Sequence, residues 1–130
     1  MKVYFPGGKK VFADYNGFTI QTDQHPQSGG NGEYPEPFTL FLGSLATCAG
    51  IYVKYFCDQR AIDASDVYLT QDFKYDDIRR RIGEFHIRIH LPAGFPDKYD
   101  DALIRSASQC AVKKHIDPEI NLIVTVERGS

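Results

Sequence analysis

The stretch from Pro37 to Arg60 constrains the fold most, because it reads as one long helix with almost no charge before Lys54. Proline suits the first turn of a helix, where a backbone N–H would have no partner in any case. A helix that is apolar on nearly all sides lies buried in a globular protein. We therefore expect this helix at the centre of the fold, with Cys48 inside the protein or inside a subunit interface.

The residues before this helix predict antiparallel sheet followed by a loop. Two runs rich in aromatic and β-branched residues, Lys10–Asp14 and Phe18–Asp23, lie on either side of Asn16-Gly17. Asn-Gly is a strong hairpin signal, because both residues tolerate positive φ. The segment from His25 to Pro37 is dense in glycine and proline, which predicts a loop leading into the helix.

The C-terminal half predicts three strands and a second helix. Val67–Tyr75 and Ile82–Leu91 read as strands, and a closing strand alternates from Ile120 to Val126. Pro96 opens the second helix, which we expect to continue to Ile116. The core-facing side chains of the second strand are expected to be Phe85, Ile87, Ile89 and Leu91. The apolar stripe of the second helix consists of Leu103, Ala107, Cys110 and Ala111. The resulting order, β-β-(β)-α-β-β-α-β, indicates an α+β fold.

Size and charge exclude several classes of protein. A chain of 130 residues with 42% apolar and 25% charged residues has the balance of one globular domain, residues 1–130. The formal net charge of −2, without a long run of one sign, argues against nucleic acid as a partner. We expect no apolar run to approach the roughly 18 residues of a membrane span, and we therefore expect a cytoplasmic protein with no membrane partner.

The cysteines suggest redox chemistry. A single cysteine in an apolar helix is most often a small buried hydrophobe, but Cys48 and Cys110 occupy matching central positions in the two predicted helices. Cys57 lies nine residues after Cys48, on the opposite side of the same helix, and is interpreted as structural. A buried thiol ionises only beside a positive charge or a hydrogen-bond donor, and Lys113 and Lys114 follow Cys110 by one turn.

Two other chemistries are not supported by the residue spacing. His86 and His90 are about 13 Å apart along a strand, which is too far for both to bind one zinc ion. A nucleophile-base pair of Cys110 and His115 also fails, because five helical residues rotate the two side chains about 140° apart.

Four stretches of the chain together carry a family resemblance: Gly17–Gln24, Gly29-Gly30, Pro35–Gly50 and Gln109–His115. The most specific part is a proline-led apolar helix that reaches Cys48 through a run of small residues, combined with a second cysteine about sixty residues later. The chain resembles the OsmC/Ohr family of osmotically inducible and organic hydroperoxide resistance proteins, as a divergent member.

This resemblance implies an OsmC-like fold of antiparallel sheets and two main helices, assembled as an intertwined homodimer with active sites at the subunit interface. It implies thiol-dependent reduction of organic hydroperoxides and hydrogen peroxide in oxidative-stress defence. Cys48 would be the peroxidatic thiolate and Cys110 the resolving thiol, and an external dithiol would reduce their disulfide. The resemblance implies no metal, haem or flavin cofactor.

The chain departs from the family at two charged positions. Hydroperoxide-resistance members carry a glutamate about ten residues before the first cysteine, paired with an arginine near the N-terminus, whereas this chain has Phe38 and Thr39 there. Glu36 and Lys9 are the candidate replacements, although a lysine lacks the planar fork of arginine. The missing pair motivates an alternative, a non-catalytic module of the same fold that binds a small apolar ligand at the dimer interface.

Overall fold

The chain divides into two structural units, Met1–Gly43 and Ser44–Ser130, in a computed structural model that describes residues 1–129. Helix α1 (Pro37–Gln59) begins in the first unit and continues in the second. The interpretation of residues 1–130 as one domain stays a prediction.

The first unit contains a three-stranded antiparallel sheet. Strands β1 (Lys2–Gly7), β2 (Lys10–Tyr15) and β3 (Phe18–Thr22) lie in that order across it. The β2–β3 hairpin is confirmed, since Tyr15 pairs with Phe18 and the intervening Asn16-Gly17 has φ of 50° and 79°. The sequence prediction gave no bounds for β1.

The second unit contains a three-stranded mixed sheet. Strands β4 (Tyr68–Asp76) and β5 (Arg81–Leu91) are antiparallel, whereas β6 (Asn121–Arg128) runs parallel to β5. The expectation of purely antiparallel sheets is therefore wrong for this last pair, because the chain crosses over through a helix before β6. The predicted alternation of β5 is confirmed, since Phe85, Ile87, Ile89 and Leu91 are buried; Ile82, earlier in the same strand, is buried as well.

Helix α1 ends within one residue of its predicted end but is buried on only one side. Its buried stripe follows helical spacing and consists of Leu45, Ala49, Val53, Phe56 and Cys57. Phe38, Ile51 and Tyr55 are 56%, 41% and 53% exposed. The expectation of a helix buried all round is thus wrong for the single chain.

The premise that no apolar run approaches a membrane span is also wrong. Helix α1 has 23 residues, and an 18-residue window within it reaches a mean hydropathy of 1.4. Length and composition alone would therefore allow this helix to cross a membrane. The core helix of a soluble protein meets the same criterion of length and composition.

The second helix is much shorter than predicted. A 3₁₀ turn (Asp97–Tyr99) leads into helix α2 (Asp100–Ala107), and a separate 3₁₀ turn follows at Lys113–His115. The α-helical bonding ends at Ser108, whose backbone N–H and hydroxyl both donate to the carbonyl oxygen of Ile104. The next N–H, that of Gln109, donates only three residues back, to the carbonyl oxygen of Ser106. Cys110 therefore lies in the turn after α2 and not within a helix, and Ala111 is exposed.

Candidate active site

Cys48 lies on α1, between the buried residues Leu45 and Ala49 and the exposed side of the helix. Its side chain is half-buried. Small residues precede and follow it, so another segment of the chain can approach the helix closely at this point.

Cys110 approaches Cys48 from the turn after α2. It is fully buried, and its Sγ lies 4.0 Å from the carbonyl oxygen of Leu45, one turn before Cys48 on α1. The two thiols also form a hydrogen bond with each other. The structure thus brings together the two cysteines that the sequence placed in separate helices.

The break after α2 supplies hydrogen-bond donors to both sulfur atoms. The backbone N–H groups of Ala111 and Val112 donate to Cys48, and those of Val112 and Lys113 donate to Cys110. In a continuous helix these N–H groups would bond to carbonyl oxygens four residues earlier. The early end of α2 is therefore what makes them available to the thiols.

Hydrogen bonding decides which thiol ionises first. Burial acts to raise the pKa of Cys48, but hydrogen bonds from Cys110, Val112 and Ala111 together hold that pKa below the ordinary value of a cysteine. Burial raises the pKa of Cys110, and so does its hydrogen bond to Cys48. These directions favour Cys48 as the thiol of the pair that ionises first, with Cys110 as the protonated donor.

The source of this activation differs from the sequence expectation. Lys113 and Lys114 were expected to supply positive charge beside Cys110, which would have favoured ionisation of Cys110. Lys113 contributes through its backbone N–H, and the thiol with the lowered pKa is Cys48. Sequence reasoning missed these backbone donors because no residue type identifies them.

Cys57 has different surroundings on the same helix. It is fully buried, and burial followed by the negative charge of Asp58 raises the pKa of its thiol. Its place in the buried stripe of α1 agrees with a packing role.

Within the described part of the chain, Lys9 and Glu36, the two charged candidates of the first unit, do not form an ion pair with each other. Glu36 precedes α1, and its carbonyl oxygen accepts the N–H of Leu40. The stem of Lys9 lies over Gly29. Lys10, the residue after Lys9, does form an ion pair, with Glu33. Its Nζ lies 3.3 Å from the Oε2 of Glu33.

Sequence reasoning also missed the buried carboxylate that orders the loop before α1. Asp23 accepts the N–H groups of Gln24, Asn31 and Glu33 at 2.7, 3.3 and 3.2 Å, and the first of these contributes most to holding its pKa below the ordinary value. A Cβ at Gly30 would lie 2.0 Å from the Gln24 carbonyl oxygen, so only glycine fits there. An aspartate directly before a glycine-rich loop was the available signal.

The comparisons with known proteins decide the family. The model of the OsmC-like protein family matches residues 30–125. This chain belongs to the OsmC-like family. The match includes both Cys48 and Cys110. No curated protein sequence matches the chain.

Several solved structures share the fold along almost the whole chain. One from Psychrobacter arcticus, provisionally named an osmotic stress induced and detoxification response protein, is 26% identical with a TM-score of 0.79, and the match covers 97% of this chain and 93% of that one. An organic hydroperoxide resistance protein OsmC from Legionella pneumophila is 18% identical, with a TM-score of 0.66 and coverage of 97% and 93%. An organic hydroperoxide resistance protein from Elizabethkingia anophelis is 19% identical with a TM-score of 0.65, and the match covers 98% of this chain and 94% of that one. The predicted α+β, OsmC-like fold is confirmed.

Proposed function

We propose that this OsmC-like protein is a thiol-dependent peroxidase that reduces organic hydroperoxides and hydrogen peroxide in oxidative-stress defence. The observation that carries the proposal is the hydrogen-bonded pair of Cys48 and Cys110, in which the pKa of Cys48 is lowered and that of Cys110 is raised. The family and the names of the Legionella and Elizabethkingia proteins support a role in hydroperoxide resistance.

The proposed reaction assigns one role to each thiol. The Cys48 thiolate attacks the outer oxygen of the hydroperoxide, the O–O bond breaks, and the leaving alkoxide takes a proton to become an alcohol. Cys48 is then a sulfenic acid. The Cys110 sulfur attacks it, forming a Cys48–Cys110 disulfide and releasing water. An external dithiol reduces this disulfide and becomes a disulfide itself, and no metal, haem or flavin takes part.

A homodimer with active sites at the subunit interface is part of the proposal. Helix α1 exposes Ile51 and Tyr55 on the side of the helix that carries Cys48, although apolar residues are usually covered when they cluster on one surface. A partner subunit covering this surface would also enclose the half-buried Cys48. An apolar wall of this kind favours hydroperoxides with an apolar body.

A charged pair that orients the Cys48 thiolate is a further part of the proposal. Lys9 and Glu36 stay candidates for orienting Cys48.

A cytoplasmic location fits this chemistry. All three cysteines are free thiols, and a dithiol that regenerates Cys48 and Cys110 needs a reducing compartment. We propose the cytoplasm on this ground.

The test is the loss of free thiols when the reduced protein meets one equivalent of cumene hydroperoxide, followed by mass mapping of the disulfide. We expect rapid formation of Cys48–Cys110 with Cys57 still free. The matched control is Cys57→Ala, which should react at the same rate as the wild type. If the thiols do not react within minutes, the protein is not a peroxidase, and the same apolar surface would favour a module that binds a small apolar ligand.

A further inference from the structure

His115 forms a side-chain hydrogen bond to the backbone of the turn that holds Cys110. Its Nδ1 lies 2.7 Å from the carbonyl oxygen of Ala111. A carbonyl oxygen can only accept a hydrogen bond, so Nδ1 must carry the proton and donate it. This contact fixes the tautomer of the imidazole, although the side chain is exposed.

The peptide group that accepts this bond is the one that donates to Cys48. The carbonyl of Ala111 and the N–H of Val112 belong to a single amide, and that N–H donates to the Cys48 sulfur. Hydrogen bonds in a chain polarise one another, so an amide that accepts at its oxygen becomes a stronger donor at its nitrogen. The imidazole is therefore linked to the reacting sulfur through one amide.

We propose that His115 is a positioning residue that strengthens the hydrogen bond from Val112 to the Cys48 thiolate through the peptide group they share. The proposal rests on the proposed function only in taking Cys48 as the reacting sulfur. His115 does not touch the thiol, so it acts neither as a base nor as a nucleophile.

The turn keeps its own backbone bonds when the imidazole is removed. The N–H of Lys114 donates to the carbonyl oxygen of Cys110 at 3.3 Å, and the N–H of His115 donates to that of Val112 at 3.0 Å. Both bonds survive any side-chain substitution at position 115 except proline. Loss of the imidazole thus changes the polarisation of the amide while the turn remains closed.

The experiment measures the ionisation of Cys48 directly, without peroxide. The pH dependence of iodoacetamide alkylation at Cys48, resolved by peptide mass spectrometry, is compared among the wild type, His115→Ala and His115→Asn. Asparagine places an amide N–H near the position of Nδ1 and can restore the bond. His25→Ala is the matched control, because His25 also bonds to the backbone of a 3₁₀ turn, Pro26–Ser28.

We expect His115→Ala to move the alkylation profile of Cys48 to higher pH and to slow alkylation roughly threefold below the midpoint. His115→Asn should return most of the rate, and His25→Ala should match the wild type. An unchanged profile in His115→Ala overturns the proposal, and so does a shift that asparagine fails to correct. Failure of the peroxidase would appear differently, as an acidic Cys48 that alkylates readily but does not consume cumene hydroperoxide.

Discussion

Cys48 and Cys57 lie nine residues apart on helix α1, yet their surroundings act on the two thiols in opposite directions. Cys57 is fully buried in the core stripe of the helix, and burial with the charge of Asp58 raises the pKa of its thiol. Cys48 is half-buried, and donors from another segment of the chain lower the pKa of its thiol in spite of that burial. One helix thus carries a thiol whose pKa is raised and another whose pKa is lowered.

The difference shows that α1 itself does not activate a cysteine. In the middle of a helix the backbone N–H groups are already bonded to carbonyl oxygens of the same helix. The donors to Cys48 come instead from Cys110, Ala111 and Val112, in the turn that follows α2. The lowered pKa of Cys48 therefore depends on the position at which α2 ends. Substitutions at the three cysteines test the contrast between Cys48 and Cys57.

The largest expected effect separates Cys48 from Cys57 by activity. Cys48→Ser should lower the rate of cumene hydroperoxide consumption by at least about a thousandfold, because a hydroxyl is a far weaker nucleophile than a thiolate. Cys57→Ala should keep the wild-type rate. Consumption is followed with excess dithiol. Comparable losses in both variants would show that Cys48 has no special role.

The next largest effect concerns Cys110, the thiol that donates a hydrogen bond to Cys48. Cys110→Ala should still reduce one equivalent of hydroperoxide but should stop at the Cys48 sulfenic acid, because no thiol remains to form the disulfide. Dimedone trapping with mass spectrometry measures this intermediate. The first turnover should also be slower than in the wild type, since Cys48 loses one of its hydrogen bonds. A disulfide from Cys48 to Cys57 in this variant would contradict the inert role of Cys57.

A smaller effect is the pH dependence of the two thiols. Cys48 should alkylate with iodoacetamide at lower pH than a free cysteine, whose pKa is about 8.5, and Cys57 should stay unmodified until the protein unfolds. The lowered pKa of folded Cys48 implies stabilisation that is present above the unfolded pKa and is lost as pH falls through the folded pKa. The free energy of unfolding of Cys48→Ala should therefore fall further below that of the wild type as pH rises. Parallel pH curves would contradict the lowered pKa.

Periodicity predicted the parts of this molecule that depend on burial, and missed those that depend on backbone donors. The bounds of α1 and the alternation of β5 follow from apolar spacing, and the β2–β3 turn follows from Asn16-Gly17. The end of α2 lies within a segment that looks helical throughout, where neither proline nor glycine marks a stop. The pairing of Cys48 with Cys110 and the role of Asp23 depend on contacts between distant residues, which spacing along the chain does not contain.

The smallest effect concerns the packing of Cys57. Cys57→Ala should lower the free energy of unfolding by roughly 1 kcal/mol, because a small cavity replaces the sulfur in a fully buried site. Cys57→Ser should lower it further, since the site would then bury a hydroxyl that must find a partner. At half-buried Cys48 the same two substitutions should differ much less, because the backbone N–H groups of Ala111 and Val112 can donate to the hydroxyl oxygen. Urea unfolding at neutral pH measures all four variants, and an equal cost of serine at both positions would remove the contrast in burial on which the comparison rests.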